Sequence, residues 1–328
     1  MIRNPGKNLL ILFFVLLVFL IPVLIKDPYY QHILNVVFLF TISVYGLNII
    51  AGITGQFNIG HAGFLGIGAY ISALATNSLM LSFWLAMPLA ILGTAVFGFL
   101  IGYPSLRLRG VYFALTTLCF GEILSLVFEN WIPVTGGPTG ISRIPAPTSI
   151  RLSEGISFAF DTKIGFYYLC LIFVLLSLYI NRQLLKSRLG RAMLAVRENE
   201  DLAQSAGIPI TRTKIIAFIL SMMFVGLCGS LYAHYFRFIS PVSFSVPESF
   251  RQVTMLFVGG RGTLLGPLIG ALIFTALPEV LRSIEDYQWV VYGAILMVFI
   301  VFLPKGIVGL IQDITETLRL PRNGNREQ

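Results

Sequence analysis

The sequence predicts an all-α polytopic membrane protein with about ten transmembrane helices, and three observations predict it. The composition is 56% hydrophobic and 12% charged, with a mean hydropathy of +0.83, which leaves too little polar surface to cover a soluble globule. Apolar runs recur along the chain at the length a hydrocarbon core demands, roughly 20 residues at about 1.5 Å rise each. Only two polar segments interrupt them, 133–163 and 183–213, so residues 1–328 read as one transmembrane domain.

In chain order the runs are Asn8–Ile25, Gln31–Ile53, Ile59–Met80, Ser82–Tyr103, Gly110–Ile132, Ile164–Arg182, Lys214–Phe236, Val246–Gly260, Thr263–Leu281 and Tyr287–Leu303. The first follows Arg3 and Lys7 as a signal peptide would. Its apolar run is too long for one and no small-residue cleavage site follows, so it is expected to be retained. The eighth holds Pro247, Glu248 and Arg251 before it turns apolar and reads as either a short broken helix or a re-entrant segment.

Orientation follows from the 23 Lys and Arg and the excess of basic residues in cytoplasmic loops. With the amino terminus inside, Arg3, Lys7, Arg107, Arg109, the basic residues from Arg182 to Lys214, Arg261, Lys305, Arg319, Arg322 and Arg326 are cytoplasmic. Lys26, Arg143, Arg151, Lys163, Arg237, Arg251 and Arg282 fall outside, and both termini are expected in the cytoplasm. The net charge of +8 sits in short juxtamembrane loops and sets orientation; with no soluble basic domain, nucleic acid is not an expected partner. Cys119, Cys170 and Cys228 all lie within spans and read as small packed side chains, with no disulfide or metal implied.

The outer segment, 133–163, is rich in Pro, Gly, Ser and Thr (VTGGPTGISRIPAPTS), which is loop chemistry, and serves as a lid, a docking surface or a plain connector. The inner one holds a helical stretch bracketed by Gly190 and by Gly207, with Pro209 beyond. Ala192, Ala195, Val196, Asn199 and Ala203 recur there at spacings of three and four, giving a narrow face of small side chains among Arg191, Arg197, Glu198, Glu200 and Asp201. Such a face suits a groove on another protein. A helix lying on lipid would carry bulky apolar residues on one side.

Within the spans, Gly262, Gly266 and Gly270 are four residues apart and read as one close-packing helix face. Asn48, Thr54, Gln56, Asn58 and His61 cluster at the cytoplasmic junction of the second and third spans, where polar groups are paired or line a watery path. Glu122 falls midway along Gly110–Ile132, where an ionised carboxylate costs several kcal/mol unless paired or hydrated. It is expected to face a pathway or another helix, sharing its stripe with Ser125 and Glu129 above Thr116 and Thr117. No catalytic or phosphate-loop motif occurs: H-E-x-x-H, G-x-S-x-G, G-x-x-x-x-G-K-[ST] and paired metal-spaced cysteines are all missing. The chain therefore cannot use ATP by itself.

Four stretches, GLNIIAGITGQFNIGHAGFLGIGAY, GVYFALTTLCFGEI with TGGPTGI, SRLGRAMLAVRENEDLAQSAGI and FVGGRGTLLGPLIGALI, resemble in order the branched-chain amino acid ABC importer permease family. The likeness runs from about Tyr45 to Pro304 and is to the larger of the two permease subunits in particular. It implies a large importer-type bundle in the bacterial inner membrane, with GRAMLAVRENEDLAQSAGI as the coupling helix that sits on an ATPase. It also implies partners: a second homologous permease, two ATP-binding cassette ATPases that hold the ATP and Mg, and a periplasmic amino-acid-binding protein. Leu, Ile or Val would pass along a mildly polar path, to which Gln56, Asn58, Thr116 and Glu122 are suited. Permeation of urea or short-chain amides is the nearest alternative. An ion-coupled secondary transporter leaves the coupling segment unexplained, and a membrane enzyme using Glu122 and His61 would need the two side by side.

Overall fold

The Asp27 side chain accepts a hydrogen bond from the Tyr29 N–H at 2.9 Å, and Pro28 supplies the first turn with its preset φ. Together they start α1 (Pro28–Leu47), which continues without a break into a π-helix (Asn48–Ile53). The computed structural model describes residues 19–22, 24–25, 27–153, 156–280, 293–294, 297 and 306–311. Further helices among the described residues are α2 (His61–Asn77), α3 (Phe83–Ser105), α4 (Val111–Asn130), the single-turn α5 (Ile132–Thr135), α6 (Lys163–Lys186), α7 (Arg188–Glu198), α8 (Glu200–Ser205), α9 (Ile210–Phe236), α10 (Val246–Gly259) and α11 (Gly266–Val280).

Among the described residues five helices are long and apolar enough to cross a membrane: Pro28–Ile53, α3, α4, α6 and α9. The expected first and last spans, Asn8–Ile25 and Tyr287–Leu303, lie mostly outside the described residues. α2, α10 and α11 have 17, 14 and 15 residues, so each covers only about 21–26 Å of the roughly 30 Å core. The eighth expected span is thus a short helix.

α9 is the central pillar, packed against α1, α2 and α3; α6 lies along α1, and α10 and α11 form a hairpin against it. α1 from Val37 onward and α2 are buried on nearly every side, whereas α3 and α4 keep wide exposed faces. The 131–162 segment caps one end of the bundle. Antiparallel β1 (Ile141–Ser142) and β4 (Phe238–Ile239) pair there beside the hairpin of β2 (Ile150–Ser153) and β3 (Ile156–Phe158). Trp84 Nε1 donates to Thr148 O at 3.1 Å and His234 Nδ1 to Pro145 O at 2.7 Å, which stitches the cap to α3 and α9. α7 and α8 lie at the opposite end, beyond the 24-residue α6.

Two short helices begin inside the bundle. Residues 54–60 fold back from the foot of the π-helix, so that the Ile59 N–H donates to Thr117 Oγ1 at 3.1 Å and Gly60 lies against Gly121, near the middle of the 20-residue α4. A Cβ on Gly121 would stand 2.8 Å from Gly60 Cα, so this approach requires glycine. α10 begins at the same depth: the Ala62 N–H donates to Ser249 Oγ at 2.9 Å, and Ser43 Oγ donates to Gln252 Oε1 at 2.7 Å. The N-termini of α2 and α10 therefore meet beside Ser43, and the helices run from there toward opposite ends.

The expected glycine stripe is corrected. Gly262 lies in the turn before α11 with φ +74°, a conformation that ends or links helices, so only Gly266 and Gly270 belong to α11. Gly270 packs on the Met255 carbonyl and Gly259 on that of Gly266, which closes the α10–α11 hairpin.

Candidate functional site

The polar residues expected at one junction separate into two levels. At the foot of α1, Asn48 is fully buried: its Oδ1 accepts from the Gly262 N–H at 2.8 Å and its Nδ2 donates to Thr263 O at 3.1 Å. Thr54 Oγ1 donates to Ile49 O at 2.9 Å, within the π-helix. Gln56 Nε2 donates to Glu200 Oε1 at 3.2 Å. Asn58 and His61 sit deeper, because residues 54–60 climb back into the bundle. Asn58 Oδ1 accepts from the Gly60 N–H at 3.1 Å, and His61 Nε2 donates to Ser43 O at 3.1 Å. A short polar link between two apolar runs reads as a surface junction whatever its depth, which is why the two levels merged in the sequence.

Thr117 is buried and holds Ile59, while the half-buried Thr116 donates to Tyr112 O at 2.8 Å. Glu122 is exposed on α4, on a face it shares with Tyr112, Leu115, Cys119, Leu126 and Glu129. Cys119 is thus not packed within the chain as expected; Cys170 and Cys228 are. His61 is fully buried and spoken for by Ser43, whereas Glu122 points off the surface, so the acid–base pair of the enzyme alternative is not assembled.

One charged pair escaped the sequence reading. Glu248 and Arg251, expected at the polar start of the eighth segment with Arg251 on the outer side, lie in the first turns of α10 with a two-pronged ion pair at 2.9 and 3.0 Å. The Arg251 guanidinium stands 4.2 Å from the centroid of Phe40, about halfway along the Pro28–Ile53 span. The i, i+3 spacing was the available signal.

The inner polar segment is two helices. Ser187 caps α7 by accepting from the Gly190 N–H at 3.0 Å; a side chain at Gly190 would strike the Leu184 carbonyl. Asn199, with φ −161° and ψ 116°, breaks the run and caps α8 by accepting from the Leu202 N–H at 3.0 Å. Gly207, at φ +80°, ends it. The break rotates the small-residue face: Val196 and Ala203 are buried against the chain's own bundle and Ala192 and Ala195 are half-buried, while Arg191, Glu198, Asp201 and Leu202 point outward. The expected outward stripe of alanines is therefore an inward one, which lets α7 and α8 lie close to the bundle.

Two clamps fasten this segment. Glu200 pairs with the Lys214 ammonium of α9 at 2.6 Å, with Arg109 at 3.4 Å, and accepts from Gln56. Arg197 Nη1 donates to Gly52 O in the π-helix at 2.8 Å while its other nitrogens hold Glu198. From Gly52 the connection continues through Asn48 to the 262–263 turn. These contacts tie α8 to α9, and α7 to the π-helix and the turn before α11.

A sequence profile described as branched-chain amino acid transport system / permease component matches residues 29–301. The chain is 36% identical over 280 residues to the high-affinity branched-chain amino acid transport system permease protein LivM of Salmonella typhimurium, covering 80% of this chain and 66% of that protein. It has the same identity and coverage with LivM of Escherichia coli K12. With the permease protein LivH of Salmonella typhimurium it shares 25% identity over 278 residues, 80% of this chain and 89% of the relative. The chain thus spans just under two thirds of the length of the LivM proteins it matches. No solved structure gives a significant match.

Proposed function

Because the chain belongs to the branched-chain amino acid transport permease family, we propose that it is a permease subunit of an ATP-driven importer that moves Leu, Ile or Val across the bacterial inner membrane. The observation that carries this reading is the α7–α8 segment, clamped by Glu200 and Arg197 to the bundle with its outer side left open. An ion-coupled carrier has no use for it. On this reading the fold completes about ten spans, with both termini cytoplasmic and the 131–162 cap outside. An ATPase subunit docks on α8, a second permease covers the exposed face of α4, and a periplasmic binding protein delivers the amino acid. ATP and Mg belong to the two ATPase chains. ATPase closure moves α8 as a rigid body, and the backbone contact of Gly60 with Gly121 is a plane on which α2 can shear against α4.

Reconstitution tests the reading. Leucine is expected to accumulate in liposomes only when this chain is combined with a homologous second permease, two ATPases, the loaded binding protein and ATP. Accumulation by this chain alone under an ion gradient would overturn it, and uptake of urea or acetamide in place of leucine would change the substrate class.

Glu122 gives a narrower test, since its exposure means that neither replacement disturbs the chain's own packing. Glu122→Gln is expected to lower leucine uptake per assembled transporter about threefold and Glu122→Leu about tenfold, the latter equivalent to roughly 1.4 kcal/mol at the rate-limiting barrier. Wild-type rates in both would remove Glu122 from the path.

A further inference from the structure

The Glu248–Arg251 pair has no evident structural necessity. It is partly buried, with side chains 18% and 30% exposed, and it lies level with the middle of α1. Ion pairs in such places are often replaced by well-packed apolar residues at no loss of stability. An ionisable group at membrane depth marks a functional site by default.

Its surroundings bias it toward an added carboxylate. The N-termini of α2 and α10 converge here, and each brings the positive end of its helix dipole. Arg251 adds a full positive charge, against which Glu248 is the acidic side chain in the first turn of α10. The Glu248 carboxylate is held in place by Gln252 Nε2 at 3.3 Å, and Gln252 in turn by Ser43 at 2.7 Å, so the acid stays oriented when its guanidinium partner moves. Arg251 is held by Glu248 and by the Phe40 face, and the face of a ring constrains a guanidinium less than a fixed acceptor does.

We propose that this pair is the element that reads a zwitterionic α-amino acid during passage, Arg251 taking the substrate carboxylate in a two-pronged contact and Glu248 its ammonium. The proposal rests on the amino-acid reading given above. An α-amino acid brings one group of each sign, so the exchange turns one internal ion pair into two external ones and leaves no charge unpaired. A neutral amide or urea offers no such exchange. Binding stays weak because the internal pair competes, as a path that must release its cargo requires. Phe250 and Pro247, exposed beside the pair, offer apolar contact to the substrate side chain.

The test uses the complete transporter with its binding protein in liposomes, comparing wild type, Arg251→Lys and the double variant Glu248→Gln/Arg251→Gln. The double variant keeps hydrogen-bonding capacity without charge, and Arg251→Lys keeps the charge but loses the planar fork. Both are expected to cut the maximal rate of leucine uptake per assembled complex by about tenfold or more. The concentration of loaded binding protein for half-maximal uptake should not change, because docking lies elsewhere. Wild-type uptake in the double variant overturns the proposal. If the double variant fails to assemble, Arg251→Lys decides, and wild-type uptake there overturns it equally. Failure of the wild-type transporter to move leucine while it moves urea or acetamide would instead refute the amino-acid reading, an outcome visible without any variant.

Discussion

Glu200→Ala is expected to destabilise the assembled transporter by about 3 kcal/mol, the lower end of the range for removing one partner of a buried ion pair. The Lys214 side chain is 2% exposed and sits 2.6 Å from Glu200, so the deletion strands an ammonium among Gln56 and the ends of α8 and α9. Glu200 itself keeps 18% exposure, which admits some water and holds the cost below the upper end. The companion variant Glu200→Ala/Lys214→Met removes both charges and should recover most of the loss, since a methionine fills the lysine's space without the desolvation cost. Thermal denaturation of the detergent-solubilised complex measures both. An unchanged midpoint in Glu200→Ala would mean that Asp201 and water absorb the lysine's charge and that the clamp is not a fixed strut. Stability recovered without recovered uptake in the double variant would separate the strut's transmitting role from its folding role.

The sequence made the membrane class and the five long helices legible because a crossing helix is a one-dimensional hydropathy signal of fixed length. It marked the two polar segments for the same reason. What it could not convey is depth. Residues 54–60 were expected at the cytoplasmic junction of the second and third spans, yet the glycine contact with Gly121 draws them to mid-bundle as irregular backbone, which is tolerated there because Thr117, Asn58 and Ser249 take up the freed N–H groups. Pro247, Glu248 and Arg251 left the eighth span open between a short broken helix and a re-entrant segment, because a charge pair beside a proline resembles a helix break, and only the fold reveals Phe40 beneath the guanidinium. The inner polar segment was marked by its polarity, but its outward side was assigned wrongly. Periodicity identifies a face of small residues without saying which neighbour it approaches, and the break at Asn199 interrupts the period itself.

Leu202→Asp is expected to reduce leucine uptake to background while the chain remains folded and inserted. Leu202 is 69% exposed on α8, flanked by Glu198, Asp201 and Gln204, and its side chain lies outside the apolar core. A lone leucine projecting from a polar helix is a poor anchor for lipid, which binds broad apolar faces. It suits a pocket in a protein surface. Burying a leucine contributes about 1.5–3 kcal/mol, so its loss alone weakens docking by roughly tenfold to a hundredfold, and an aspartate adds the cost of a carboxylate forced into an apolar socket. The neighbouring Glu198→Arg reverses a charge at the rim and should act more mildly, through the rate and salt dependence of association. Ala195→Trp makes the contrast: Ala195 is half-buried toward the bundle, so a ring there should disturb the chain's own packing and lower the amount of assembled complex. The measurement is ATP hydrolysis and leucine uptake per assembled complex for the three variants side by side. With Leu202→Asp, hydrolysis should lose its stimulation by loaded binding protein, or the ATPases should dissociate on size exclusion. Full uptake with Leu202→Asp would assign α8 to the lipid surface and move the ATPase contact away from this segment.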